Sequence, residues 1–175
     1  AAPSRTRIGP YADLAVRVEA LAERINARFA RGSYRPVVLL REHHEPPAVF
    51  RCYRAADVCY VSSVHDGMNL VAKEFVAARD DNQGVLVLSS FTGAAREMTG
   101  ALIVNPYDLD QASAALLAAL EMSDDEQADR MAAMRAHLAE FNVYRWAGRM
   151  VVDAARLRDR DRLSGRLDRR PRAIG

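Results

Sequence analysis

Short continuous apolar runs, each followed by a stretch of helical period, constrain this chain more than any other feature. Residues 37–40, 58–61, 85–88 and 102–104 are apolar throughout and only three or four residues long. Runs of that kind suit strands buried on both faces. Between them lie segments with helical signals. Residues 11–30 repeat Leu14, Val18, Leu21, Ile25 and Phe29 along one face, and Gly32 is expected to end that helix. Pro46 and Pro47 suit the first turn of a second helix carrying Val49, Phe50 and Tyr53. Residues 69–79 read as a third helix, and residues 91–98 as a short one opened by Thr92 and Gly93. Strand and helix alternate over the first hundred residues, which predicts an α/β fold: a parallel sheet with helices on both faces.

Beyond residue 104 the chain reads as helical. Asp108 is placed to cap one helix and Ser123 with Glu126 to form a capping box on the next. A last helix carries Tyr144, Trp146 and Met150, with the two aromatics as its expected anchor on the sheet or on a partner domain. From Val151 onward eight Arg face four Asp, so the end is +4 within a net charge of +2. We expect a domain over residues 1–155 and a basic, disordered tail over 156–175. The interleaved Asp residues argue against nucleic-acid binding by that tail.

No apolar run approaches the roughly 20 residues that span a bilayer, so a cytoplasmic protein with no membrane partner is expected. Cys52 and Cys59 match no metal or redox spacing; both are expected reduced and at least partly buried. The first residue is Ala1 rather than Met, which we read as a piece of something longer.

In parallel sheets ligands bind where strand ends lead into helices. The strongest such place is the segment DGMNLVAKE, Asp66 to Glu74. A strand ends, Gly67 allows a turn, and a helix begins whose first N–H groups, from about Gly67 to Leu70, form an anion site. Glu74 lies about 7–8 Å further along the axis, at 1.5 Å per residue, within reach of a ribose. Asp66 can take sugar hydroxyls on the other side of the phosphates. By spacing alone the same residues also fit an ordinary turn followed by a solvent-facing glutamate.

Other candidates carry less. His43 and His44 are adjacent and project differently, with no third metal ligand nearby. Lys73, the single lysine, is expected in a structural ion pair rather than in catalysis. Ser89, Ser90, Thr92 and Gly93 fit a helix cap and a phosphate-facing loop equally well. Arg96 and Glu97 read as surface residues.

The string DGMNLVAKEF, with GVLVLSSFTGAAREM, ALIVNPYD, AAPSR and YRAAD at their spacings, resembles the trehalose-6-phosphate synthase family of retaining glycosyltransferases, family 20. The likeness covers roughly residues 1–155. It implies the C-terminal, Rossmann-like half of a GT-B enzyme, which transfers glucose from a nucleotide sugar, UDP-glucose expected, to glucose 6-phosphate with retention. Retention without a clear protein nucleophile implies assistance by the donor diphosphate on the same face.

Residue by residue, the resemblance implies that Asp66 acts at the donor glucose with backbone groups of Gly67, Met68 and Asn69. The N–H groups of Asn69, Leu70 and Val71 would meet the diphosphate, and Glu74 the ribose. His43 and His44 lie in the base-binding region, and Arg5 matches an arginine for the acceptor phosphate. His65 stands where family members often carry Arg, and His44 where they are often aromatic. The partners implied are nucleotide-diphosphate glucose, and glucose 6-phosphate through an N-terminal domain; no cofactor or metal is expected, and a homo-oligomer stays open. That domain and an upstream Arg and Lys pair for the diphosphate are expected outside this chain, leaving the fragment alone inactive. Two alternatives stay open: a sister transferase with another phosphorylated acceptor, such as glycerol 3-phosphate, and a non-catalytic binding or regulatory module.

Overall fold

The structure, a computed structural model, describes residues 9–168, with side chains described for 12–158 and for 160. Arg5 and the end of the tail, residues 169–175, lie outside the described residues. Packing divides the chain into two units, Ala1–Arg51 and Cys52–Gly175.

In the first unit, α1 (Gly9–Phe29) is followed by a tight turn in which Gly32 takes a φ of +59°. Residues 37–40 are not a strand, contrary to the sequence reading. The Asn26 amide takes both backbone groups of Val37, donating to its carbonyl and accepting from its N–H, each at 2.9 Å. Glu19 also holds Arg41 at 2.6 Å. A run this short becomes a strand only beside another strand, and the described residues bring none to it. Helix α2 (Pro46–Ala55) begins on its two prolines as the sequence predicts, and the boundary between the units falls within it, so Tyr53 and Arg54 belong to the second unit.

The second unit holds three parallel strands, β1 (Val58–Val61), β2 (Val85–Ser89) and β3 (Leu102–Val104), in that order. Val58 pairs with Val85 and Val87 with Leu102, so β2 is central. Its five residues are all buried, and they alternate between two cores. Leu86 and Leu88 pack with Phe75 and Val76 of α3 (Leu70–Ala78) and with Met131 and Met134 of α5 (Asp124–Glu140). Val85 and Val87 pack on the opposite face with Ala119 of α4 (Leu109–Glu121). Helices therefore cover both faces, which is the expected Rossmann-like α/β layering.

The caps agree with the sequence in kind. Asp108 accepts from the Gln111 N–H and Ser123 from the Glu126 N–H. The Ser123 box is half-made, because Glu126 turns to Arg130 one turn on. Residues 91–98 hold a single 3₁₀ turn, Gly93–Arg96, rather than a longer helix.

The last helix, α6 (Val143–Asp168), leaves Tyr144 83% and Trp146 63% exposed. Neither aromatic anchors the helix on the sheet. Cys59 is half-buried, and burial pushes its thiol up to about 11; Cys52 is exposed, against expectation. Both thiols are free. Among the described residues no helix is long and apolar enough to cross a membrane.

Candidate functional site

The loop after β1 and the loop after β2 are zipped together at the carboxyl end of the sheet. Asp66 donates its N–H to the Phe91 carbonyl at 3.2 Å and accepts from the Gly93 N–H at 3.0 Å. The Ala94 N–H reaches the Met68 carbonyl at 2.8 Å. Ser89 Oγ accepts from the Phe91 N–H, and the Thr92 hydroxyl donates to the Ser89 carbonyl. Ser89, Thr92 and Gly93 thus build the platform, and no side chain of theirs is spare to cap the 3₁₀ turn.

Asn69 holds the centre. It is 5% exposed and carries a φ of +74°, a left-handed value that asparagine tolerates better than other non-glycine residues. Its Oδ1 caps α3 by accepting the Ala72 N–H at 2.9 Å. Its Nδ2 donates to Asp66 Oδ2 at 3.0 Å and Ser63 Oγ at 3.3 Å. The demanding backbone position is therefore Asn69 and not Gly67, whose φ is not positive. Gly67 faces open space: among the described residues a Cβ there would meet nothing within 4 Å. A ligand can approach that backbone from the same side.

The Asp66 carboxylate faces inward as well as outward. Oδ1 accepts the N–H groups of Met68 at 3.0 Å and Asn69 at 2.9 Å. An ionised carboxylate has about four acceptor positions, so one on Oδ2 stays open for a hydroxyl. The Met68 N–H, followed by the Asn69 side chain and N–H, holds the carboxyl below its ordinary value against the opposing effect of partial burial. Asp66 is consequently an ionised acceptor near neutral pH, suited to hydroxyls and not to proton donation.

Two of the N–H groups expected to face a diphosphate, those of Met68 and Asn69, are thus engaged by Asp66. Leu70 and Val71, the first two residues of α3, are different. Among the described residues no hydrogen bond satisfies their N–H groups. They are free N–H donors at the start of the helix, the end at which the helix dipole is positive.

Glu74 stands further along α3, half-buried, with Oε2 accepting the Tyr53 hydroxyl at 3.2 Å. Tyr53 was no candidate from sequence, because it comes from α2, 21 positions earlier. Lys73 pairs with Glu97 at 2.6 Å, and His137 approaches the same carboxylate at 4.0 Å. The expected structural ion pair is present. Beside the start of α3 a cavity of about 670 Å³ is lined by Met68, Leu70, Lys73, Phe141, Trp146 and Arg149, among others.

His43 and His44 belong to the first unit. His43 is exposed and 3.5 Å from Glu45. The Nε2 of His44 is buried and, among the described residues, has no hydrogen-bond partner. No group of three or more His, Cys, Asp or Glu among the described residues could hold a metal.

Comparison with known proteins gives the family of the chain. The family model of Glycosyltransferase family 20 matches residues 1–156. A trehalose-6-phosphate synthase of Klebsiella pneumoniae is 43% identical over 94% of this chain and 35% of its own length. A solved α,α-trehalose-phosphate synthase (UDP-forming) from Burkholderia xenovorans, in complex with glucose-6-phosphate, is 43% identical with a TM-score of 0.84, over 87% of this chain and 34% of that one. A trehalose-6-phosphate structure from E. coli bound with UDP-2-fluoro glucose is 42% identical with a TM-score of 0.83, over 86% of this chain and 34% of that one. The chain spans about a third of the length of the relatives it matches.

Proposed function

The chain belongs to Glycosyltransferase family 20, and from that premise we propose that it is the donor-binding part of a UDP-forming α,α-trehalose-phosphate synthase. The protein would transfer glucose from UDP-glucose to glucose 6-phosphate with retention. The observation that carries this reading is the arrangement along α3: the N–H groups of Leu70 and Val71, unsatisfied among the described residues, then Glu74. A diphosphate on the helix start and a ribose on Glu74 fit that spacing.

In this reading Asp66 takes a hydroxyl of the donor glucose on the open side of its carboxylate. The exposed backbone at Gly67 and Met68 lies against the same sugar. The protein contributes positioning and charge stabilisation as the diphosphate leaves. Lys73 is committed to Glu97, so the cations for the leaving group are proposed to come from elsewhere in the protein. Arg5 is proposed for the acceptor phosphate and His43 for the base region. No resident metal takes part in this scheme, and the protein is proposed to work in the cytoplasm.

The test is product analysis on the full-length protein. UDP-glucose and glucose 6-phosphate should give trehalose 6-phosphate and UDP, with the rate unchanged by a chelator. Turnover with glycerol 3-phosphate and none with glucose 6-phosphate would replace the acceptor in this proposal. Binding without turnover of any phosphorylated acceptor would reduce the protein to a binding module. The isolated 175-residue chain should be inactive.

A further inference from the structure

The Tyr53–Glu74 hydrogen bond joins α2 to α3 across 21 positions of sequence. Both ends of Tyr53 are fixed. Its ring stands edge-on to fully buried Phe75, with centroids 6.2 Å apart at 82°. Its backbone carbonyl accepts from the Arg79 guanidinium at 3.1 Å, and Arg79 is only 5% exposed. The phenol is therefore a donor of set position. Glu74 by itself is a chain of three rotatable bonds, which costs side-chain entropy to hold in one rotamer.

We propose that Tyr53 is a positioning residue for the donor ribose, holding Glu74 in the rotamer that turns its remaining acceptor positions to the ribose hydroxyls. The proposal rests on the reading of Glu74 given above. Tyr53 occupies one of about four acceptor positions on the carboxylate and leaves the other three for the ligand. Burial, then the charge of Glu74, pushes the phenol up to about 12, so it remains a donor throughout the neutral range. A carboxylate already oriented binds two neighbouring hydroxyls without first surrendering its own freedom.

A purely structural tie between α2 and α3 would alter stability and nothing else. Ribose selectivity separates the two. On the full-length protein, calorimetry would compare UDP with 2′-deoxy-UDP and 3′-deoxy-UDP, for wild type and for Tyr53→Phe, with melting temperatures alongside. Wild type should bind UDP about ten- to a hundredfold tighter than the deoxy analogues, the scale of a hydrogen bond to a charged acceptor. In Tyr53→Phe the affinity for UDP should fall more than that for the analogues, which keep one hydroxyl on Glu74, so the ratio shrinks several-fold. Tyr53→His, which returns a ring N–H donor, should recover part of the ratio; it also serves if the Phe variant folds poorly.

An unchanged ratio in a folded Tyr53→Phe variant, with only the melting temperature lowered, would overturn the positioning role and leave the ribose site standing. If wild type itself fails to discriminate the deoxy analogues, the ribose reading of Glu74 falls, and the role of Tyr53 with it.

Discussion

Gly93 lies against Gly67 so closely that a Cβ on it would stand 2.1 Å from the Gly67 carbonyl oxygen. This contact locks the loop after β2 onto the loop after β1, and a backbone carbonyl cannot swing aside as a flexible side chain could. Gly93→Ala should therefore cost about 1–3 kcal/mol, the range of overpacking, and weaken donor binding because the platform shifts. Gly67→Ala is the counterpart: with open space and an ordinary φ it should move stability by under about 0.5 kcal/mol. If a donor lies on that backbone, UDP-glucose affinity should still drop in Gly67→Ala. Urea midpoints and calorimetry on both variants read the two effects separately.

Asp66 carries a pH signature. Its folded carboxyl lies below the unfolded value of about 3.9, chiefly through the Met68 N–H. A depressed carboxyl stabilises the fold above the unfolded value and loses that contribution as pH falls through the folded one. The wild-type advantage over Asp66→Asn in melting temperature should thus be constant from pH 7 to about 5 and shrink below about pH 4. The subtraction cancels other carboxylates common to both proteins. A difference that persists undiminished to pH 2 would mean that the Asp66 charge does not hold the loop.

Much of this was readable from residues because the signals are local. Buried runs such as residues 85–88 announce a central strand by having no polar face to turn outward. Residues 37–40 carry the same signal, yet a strand exists only through a partner, and pairing is not written in the run itself. At the site, Asp66 and Glu74 stood out by spacing. Asn69 was legible in principle, since asparagine before a helix suits both a cap and a left-handed φ, but the neighbouring glycine drew the turn assignment to itself. Tyr53 and Arg79 were beyond reach: their partners lie 21 and 26 positions away and only the packing of α2 on α3 brings them together.

Arg79 fastens that packing at several points. Its Nη1 donates to the carbonyls of Tyr53, Arg54 and Ala56 at 3.1, 2.9 and 2.7 Å, satisfying the end of α2. Its Nε meets Asp81 at 3.0 Å, and the guanidinium lies over the Phe75 ring. Arg79→Ala would leave these partly buried acceptors unpaired together and should cost about 1–3 kcal/mol. Arg79→Lys should recover less than half of it, because an ammonium cannot reproduce the planar fork. Chemical denaturation decides; a loss under about 1 kcal/mol for Arg79→Ala would show that water replaces the guanidinium.

Lys73 and Glu74 are sequence neighbours with opposite assignments, which makes them a sharp pair to test. Successive residues on a helix point about 100° apart, at 3.6 per turn, so one can serve packing and the other the ligand. Lys73 is bound to Glu97 in a partly exposed pair, and such pairs contribute roughly 0–1 kcal/mol. Lys73→Met should accordingly cost less than about 1 kcal/mol of stability and leave UDP-glucose affinity within about twofold of wild type. Glu74→Ala should leave the fold intact and weaken donor binding by about 1–3 kcal/mol, the loss of hydrogen bonds to a charged group. Calorimetry on the two variants gives the answer directly. Equal losses of affinity would bring Lys73 into the donor site as a phosphate cation, and an unaffected Glu74→Ala would move the ribose away from α3.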